Sequence, residues 1–325
     1  MKLSFYLCSL LMTCVTIPQA NASTLYGATS AGGPGELWII NPTNGAAVQD
    51  VGPLNDTNGV NYAVTGLAFN PLTGALYGST GGRTGTELLT IDPGTATVTV
   101  IGSYDYNAAG NATMSDIAFD QSGHLFGIGS VGGPTLYSID LSSGLATAIG
   151  VSGLPPATSG GGLAISPGGI FYGTPTTFEF GTYNPTTGAY THIADPARPA
   201  GQGASYAALA FDGNTLYGMN LGTPTHLVII DTAGNVFDLG TSVASLDGIA
   251  FRPVLAKPSL KIQKSVFGVS LSWPDSPTGL TLQQNATLGT TNWVANTNSI
   301  NTTGGTNEVT VSPATGNMFF RLVGP

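Results

Sequence analysis

The chain has 325 residues, a formal net charge of −9 at pH 7 and only 8% charged residues, whereas glycine occurs 47 times. This composition, without the Glu- and Lys-rich runs of exposed helices, predicts an all-β protein with many turns. The acidity is concentrated in residues 23–256, where 3 Lys and Arg stand against 15 Asp and Glu. An acidic body of this kind disfavours nucleic acid and anionic membranes as partners.

The first 22 residues have the pattern of a secretory signal peptide. A lysine is followed by an apolar run at residues 3–17 and by the small-x-small site Ala20-Asn21-Ala22 before Ser23. The run is shorter than the roughly 20 apolar residues that a bilayer requires, so we expect no membrane span. Both cysteines of the chain lie in this segment. We therefore expect an exported protein, in the periplasm, at the cell surface or in the medium, without a thiol.

A two-part motif follows, and each part occurs five times. The first part is an apolar triplet with a central alanine: Leu67-Ala68-Phe69, Ile117-Ala118-Phe119, Leu163-Ala164-Ile165, Leu209-Ala210-Phe211 and Ile249-Ala250-Phe251. The second part, an apolar-aromatic-glycine triplet, recurs at intervals of about 45 to 51 residues: Leu25-Tyr26-Gly27, Leu76-Tyr77-Gly78, Leu125-Phe126-Gly127, Phe171-Tyr172-Gly173 and Leu216-Tyr217-Gly218. Repeats of this length built from short strands are typical of propeller blades.

Each repeat contains enough strands for one blade. A turn rich in Asn, Asp, Pro and Gly separates the two triplets, and two further strands follow, such as residues 88–91 and 98–102. The first Leu-Tyr-Gly strand has no preceding alanine triplet, and the last alanine triplet has no following Leu-Tyr-Gly strand. We therefore predict a five-bladed β-propeller at residues 23–253 that is closed by pairing of its N- and C-terminal strands.

The repeats end before a proline-containing segment, residues 254–258, which we interpret as a linker. Short runs of alternating apolar and polar residues then occur between Gly, Asn, Thr and Pro clusters. This pattern predicts a small β-sandwich at residues 259–325.

The motifs of both parts resemble known families. The five repeats resemble secreted bacterial β-propellers with YVTN, NHL or quinoprotein-like repeats. The end of the chain, with Leu271-Ser272-Trp273-Pro274 and Phe319-Phe320-Arg321-Leu322, resembles an immunoglobulin- or fibronectin-like module of exported bacterial proteins. The first resemblance implies a propeller fold, and the second implies an accessory domain. Quinoprotein members carry a tryptophan motif in each blade, whereas this propeller has only Trp38, so we expect no cofactor.

Candidate catalytic residues lie at the start of the innermost strands, which face the centre of a propeller. Asp116 and Asp247 place carboxylates where the other repeats have small or hydroxyl residues. Paired carboxylates can act as acid and base or bind a cation. The alternative is that each caps a turn or binds a neighbouring strand. Neither calcium loops of the D-x-D-x-D-G type nor clustered histidines occur, so the sequence predicts no metal site.

Aromatic residues provide the candidate ligand-binding site. The five aromatic residues of the Leu-Tyr-Gly triplets are expected to pack between blades, although they could also stack on sugars. Aromatic residues in the variable loops are freer to form a ligand-binding rim: Tyr62, Tyr104, Tyr106, Phe178 and Tyr206. The alternative is that these residues anchor the loops.

These observations favour a monomeric, exported, non-catalytic propeller that binds a polysaccharide or a surface protein through a loop-lined rim. Two alternatives stay open. One is an extracellular hydrolase, lyase or lactonase that acts on carbohydrate-type substrates with Asp116 and Asp247. The other is a structural component of the cell surface.

Overall fold

The protein is built from β-strands. The computed structural model describes the following residues: 23–30, 33–81, 86–104, 114–129, 133–155, 161–199, 205–255, 259–265, 268–275, 280–312 and 318–323. Within these ranges there are 27 strands and no helix, and accordingly no helix with the length and apolar character to cross a membrane. The predicted signal peptide, residues 1–22, lies outside the described residues.

Twenty strands form five antiparallel sheets of four strands each. The first sheet contains β1 (Leu25–Thr29), β2 (Glu36–Ile40) and β3 (Ala47–Pro53), and the second contains β4 (Val64–Phe69), β5 (Leu76–Thr80), β6 (Glu87–Ile91) and β7 (Val98–Ser103). The third contains β8 (Met114–Phe119), β9 (Leu125–Gly129), β10 (Thr135–Ile139) and β11 (Ala146–Val151). The fourth contains β12 (Gly162–Ile165), β13 (Phe171–Thr174), β14 (Phe180–Tyr183) and β15 (Tyr190–Ala194). The fifth contains β16 (Tyr206–Asp212), β17 (Thr215–Asn220), β18 (His226–Ile230) and β19 (Val236–Thr241).

The fourth strand of the first sheet comes from the far end of the repeat region. β20 (Leu246–Phe251) pairs antiparallel with β1, with Leu25 opposite Phe251 and Gly27 opposite Ile249. The strands that lack a partner within their own repeat thus complete one sheet. β4, β8, β12, β16 and β20 carry the alanine triplets, and we call them the inner strands.

Local turn chemistry connects the first two strands of each sheet. In the second sheet, the Asn70 side-chain oxygen accepts the N–H groups of Leu72 and Thr73 at 2.9 and 3.2 Å. Gly74 follows with a φ of +72°, a conformation that costs glycine little. In the third sheet, Asp120 accepts the N–H groups of its own turn in the same way.

The five sheets pack around a common centre. Each inner strand contacts the next one along the chain, and the last of them, β20, also contacts the first, β4. The packing between sheets is aromatic: Tyr26 meets Phe69 with ring centroids 5.5 Å apart, and Tyr77 meets Phe119 at 5.2 Å. The same contact joins the fifth sheet to the first, because Tyr217 lies 4.8 Å from Phe251. The Leu-Tyr-Gly aromatics of these pairs therefore pack between neighbouring sheets.

The remaining seven strands form two smaller sheets with a core of their own. They are β21 (Lys261–Ser265), β22 (Gly268–Pro274), β23 (Thr281–Asn285), β24 (Val294–Ala295), β25 (Asn301–Thr303), β26 (Thr306–Val311) and β27 (Phe319–Val323). The sheet orders are β21-β22-β26-β25 and β24-β23-β27. Leu271, Trp273, Leu282 and Val309 are buried together between them.

Candidate functional site

The inner strands place five equivalent residues around the centre. Each of them directly precedes the residue that pairs with the glycine of a Leu-Tyr-Gly triplet. The five residues are Gly66, Asp116, Gly162, Ala208 and Gly248. A Cβ on Gly66 would lie 2.7 Å from Asp116 Oδ1, so this close approach requires glycine. One carboxylate therefore occupies a space that the other four strands leave open.

Asp116 is completely buried and joins three inner strands. Its Oδ2 accepts the backbone N–H groups of Leu163 on β12 at 2.9 Å and of Leu209 on β16 at 3.2 Å. Its Oδ1 accepts the N–H group of Ile117 at 2.9 Å. Alternate N–H groups of a strand point to opposite sides, and an inner strand has a ladder partner on one side only. The Asp116 carboxylate therefore satisfies donors that would otherwise face the centre without a partner.

Asp247 lies at the same end of β20 and is partly exposed. It occupies the position where the register between β20 and β1 shifts, and its Oδ2 accepts a hydrogen bond from the Ser30 hydroxyl. Burial raises the pKa of Asp247 to about 6, and the hydrogen bond from Ser30 opposes this rise. Ser30 is a site residue that the sequence reasoning missed, because its partner lies at the other end of the repeat region.

The two carboxyl groups influence each other electrostatically. Burial raises the pKa of the Asp116 carboxyl well above its ordinary value, the hydrogen bonds from the N–H groups of Leu163, Leu209 and Ile117 oppose the rise, and the charge of Asp247 adds to it. Asp247 retains contact with solvent, whereas Asp116 has none. A substrate can therefore reach only one carboxyl group of the predicted pair in this conformation.

The predicted rim residues divide into two groups. Tyr62, Tyr104 and Tyr206 are buried, with 7%, 0% and 1% of their surfaces exposed. The hydroxyl of Tyr206 donates to the carbonyl of Ala197 at 2.5 Å, so this side chain ties down the preceding loop. Burial leaves these three side chains little surface for a ligand. Tyr106 lies outside the residues that the structure describes.

Phe178 is the described rim aromatic that faces solvent. Its side chain is 43% exposed, and its backbone has a φ of +66°. A positive φ is uncommon for a bulky residue and often marks a ligand-binding segment. The guanidinium carbon of Arg198 lies 4.0 Å from the centroid of the Phe178 ring. The sequence reasoning did not single out Arg198. Its signal was the scarcity of basic residues, because residues 23–256 contain only 3 Lys and Arg.

Each of the three histidines is bound to a carboxylate. The Nδ1 atoms lie 3.0, 2.8 and 2.9 Å from carboxylate oxygens in the pairs His124 with Asp120, His192 with Glu179, and His226 with Asp238. His226 is the buried one of the three, with 9% of its surface exposed. The described residues contain no cluster of three or more His, Cys, Asp and Glu side chains that could hold a metal.

A cavity of about 380 Å³ opens at the opposite end of the inner strands, and we call it the central funnel. All five alanine triplets contribute to its wall. Its remaining lining residues come from the ends of the repeat region and the turns after the triplets: Ser23, Pro71, Gln121, Pro167, Asp212, Gly213, Arg252, Pro253 and Val254.

Together these features define a class, the all-β repeat proteins whose four-stranded sheets are arranged as in propellers. The chain belongs to the family described as "Repeat of unknown function (DUF6923)", whose sequence profile matches residues 19–170 and, overlapping with them, 56–208. No curated protein matches the sequence.

Several solved structures are similar over most of the chain. A protein of unknown function from Bacteroides caccae has 12% identity and a TM-score of 0.40, covering 77% of this chain and 82% of its own. TolB from Acinetobacter baumannii has 15% identity and a TM-score of 0.40, covering 78% and 61%. A protein of unknown function from Bacteroides thetaiotaomicron has 14% identity and a TM-score of 0.40, covering 80% and 75%. Similarities of this size leave the function of the present chain open.

Proposed function

We propose that this protein is an exported, non-catalytic β-propeller that binds a polysaccharide through a loop-lined rim. In this proposal the five four-stranded sheets are the blades, and the β20–β1 pairing closes the ring. Two observations support closure. The inner strands contact one another in cyclic order. The Tyr217–Phe251 contact between the fifth and first sheets is of the same kind as the aromatic contacts between other neighbouring sheets. Residues 1–22 are the signal peptide, 254–258 the linker and 259–325 an immunoglobulin-like module.

The non-catalytic part of the proposal rests on Asp116. A catalytic carboxylate must reach the proton that it transfers, either directly or through one water. Asp116 has no solvent contact, and both of its oxygens accept backbone hydrogen bonds. Its environment fits a structural group that fills the centre of the ring.

The binding part of the proposal rests on the exposed pair of Phe178 and Arg198. An aromatic ring offers a flat apolar face to the C–H face of a sugar, and a guanidinium offers several donors to hydroxyl oxygens. The Arg198 guanidinium lies over the Phe178 ring, which limits its rotamers and so lowers the entropic cost of binding. A neutral polysaccharide fits this site better than a polyanion because residues 23–256 carry 15 Asp and Glu against 3 Lys and Arg.

Binding of the purified protein to plant, algal and bacterial polysaccharides tests the proposal. We expect saturable binding without new reducing ends, and a loss of about tenfold in affinity for both Phe178→Ala and Arg198→Gln. Phe237→Ala is a matched control, because Phe237 is a 56% exposed phenylalanine on the outer strand β19. Equal losses in Phe178→Ala and Phe237→Ala would remove the rim from the proposal.

The partly exposed Asp247, with its raised pKa, supports an enzyme as the second candidate. This enzyme would be a hydrolase, lyase or lactonase acting on carbohydrate-type substrates. Release of new reducing ends or ring-opened product by the unmodified protein, lost in Asp247→Asn, would replace the binding proposal. The absence of both binding and cleavage across the polysaccharides, with binding to intact cell surfaces, would instead favour a structural surface component.

A further inference from the structure

The central funnel lies away from the rim site, and apolar side chains of the five alanine triplets line its wall. Each inner strand contributes an alanine together with larger apolar residues of the same triplet. Four of the five alanines are nearly buried, so the space is shaped by the small size of their side chains. A volume of about 380 Å³ falls within the range of small-molecule sites in proteins.

The inner end of the funnel is closed by the protein itself. Ile117 and Leu209 line the funnel, and the Asp116 carboxylate receives hydrogen bonds from the N–H groups of these same two residues. The carboxylate therefore spans the centre directly beyond the apolar wall. The funnel is a blind pocket that takes the end of a molecule and cannot pass one through.

The mouth of the funnel combines one positive and one negative side chain. Arg252 follows β20, and Asp212 ends β16, so the two charges come from neighbouring strands around the centre. Within the described residues, neither side chain forms an ion pair. Arg252 is also one of only 3 basic residues among residues 23–256. Opposite charges above an apolar pocket are complementary to a molecule that carries an ammonium, a carboxylate and an apolar group.

We propose that the central funnel binds an apolar α-amino acid in its zwitterionic form. The apolar side chain enters the pocket, the carboxylate binds the Arg252 guanidinium, and the ammonium binds the Asp212 carboxylate. The unpaired edges of the inner strands add backbone donors and acceptors along the wall. This site is independent of the proposed polysaccharide rim, which uses other residues.

Calorimetric titration of the purified protein with L-phenylalanine tests the proposal. Two neutralised analogues remove one charge each: N-acetyl-L-phenylalanine lacks the ammonium, and L-phenylalaninamide lacks the carboxylate. We expect each to bind at least about tenfold more weakly than L-phenylalanine, because each leaves one charged hydrogen bond unmade. L-Serine, which lacks the apolar group, is expected not to bind.

Two substitutions among the charged lining residues connect these losses to the funnel. Arg252→Gln is expected to weaken the binding of L-phenylalanine about tenfold but to leave the binding of L-phenylalaninamide unchanged. Asp212→Asn is expected to weaken the binding of L-phenylalanine about tenfold but to leave the binding of N-acetyl-L-phenylalanine unchanged. Asp50→Asn is the matched control, because Asp50 is exposed on β3 and does not line the funnel. Ala210→Leu narrows the pocket and is expected to abolish binding.

Each contrary result overturns the inference. Absence of L-phenylalanine binding by a folded protein rules it out. Binding of the N-acetyl analogue as tightly as the free amino acid would make the carboxyl terminus of a peptide the ligand instead. Binding that Arg252→Gln and Asp212→Asn leave unchanged would place the site elsewhere. Phe178→Ala is expected to leave amino-acid binding intact, so failure of the polysaccharide proposal is recognised separately.

Discussion

Removal of the Asp116 carboxylate is expected to destabilise the repeat region. In Asp116→Ala the N–H groups of Leu163 and Leu209 lose the side-chain oxygen that they share. Each buried donor left without a partner costs about 1–3 kcal/mol, which gives about 2–6 kcal/mol for the pair. The substitution also removes a carboxyl group whose burial is unfavourable, as its raised pKa indicates, and this recovers part of the cost. We expect a net loss of about 3 kcal/mol in the free energy of unfolding.

Asp116→Asn provides an internal comparison. The amide oxygen can still accept the N–H groups of Leu163 and Leu209, whereas the amide nitrogen then faces the N–H group of Ile117. We expect a smaller loss of about 1–2 kcal/mol. The exposed Asp50→Ala should change stability by less than about 0.5 kcal/mol.

Urea unfolding followed by circular dichroism measures all three variants. The expected order of stability is unmodified protein and Asp50→Ala first, then Asp116→Asn, then Asp116→Ala. An Asp116→Ala variant within about 1 kcal/mol of the unmodified protein would refute the structural role. If that variant had also lost a cleavage activity, Asp116 would be catalytic.

Three further predictions concern other parts of the repeat region. Gly144→Ala places a Cβ 2.6 Å from the carbonyl oxygen of Gly102 at a φ of +81°, and urea unfolding is expected to show a loss of about 2–4 kcal/mol in the free energy of unfolding. Gly153→Ala is the control: its φ is +85° but the space around it is open, so the loss should be about 1 kcal/mol. Equal losses would contradict the close packing of the sheets. The pKa of Asp247 is raised to about 6 in the folded protein, so the folded state binds this proton more tightly than the unfolded state. The resulting stabilisation is fully present below about pH 4 and is lost as the pH rises through 6. After allowance for solvent screening, thermal melts should show that Asp247→Asn removes about 1–2 kcal/mol of this pH dependence, and an unchanged dependence would exclude Asp247 as its source. Ser30→Ala removes the hydrogen bond that opposes the rise, so the pKa of Asp247, followed by NMR titration, should move further upward.

The sequence predicts the strands well because their residues repeat. The alternation of apolar residues and the turn residues recur in every unit, and the structure places four-stranded sheets where these patterns occur. The pairing of Leu25 with Phe251 follows from the phase of the repeat, since both strands lack a partner nearby. Local pattern and long-range pairing agree here because an unpaired strand edge is unfavourable.

The side chains at the candidate sites are harder to predict. Tyr104 and Phe178 both lie outside the repeated triplets, yet one is buried and the other 43% exposed. That difference depends on how each loop folds back onto its sheet, which no periodicity encodes. Asp116 carries a clearer signal, because it replaces glycine or alanine at a repeated position, but its donors come from residues 47 and 93 positions away.

The antiparallel pairing of β1 and β20 brings Leu25 and Phe251 to the same end of one sheet. This geometry matches the second sheet, where residues 70–75 join β4 to β5 through a tight turn. A turn of similar length could therefore join Phe251 directly to Leu25, and new chain ends could be opened in another exposed turn. The repeat region is thus expected to tolerate circular permutation, with the order of synthesis changed and the strand neighbours kept.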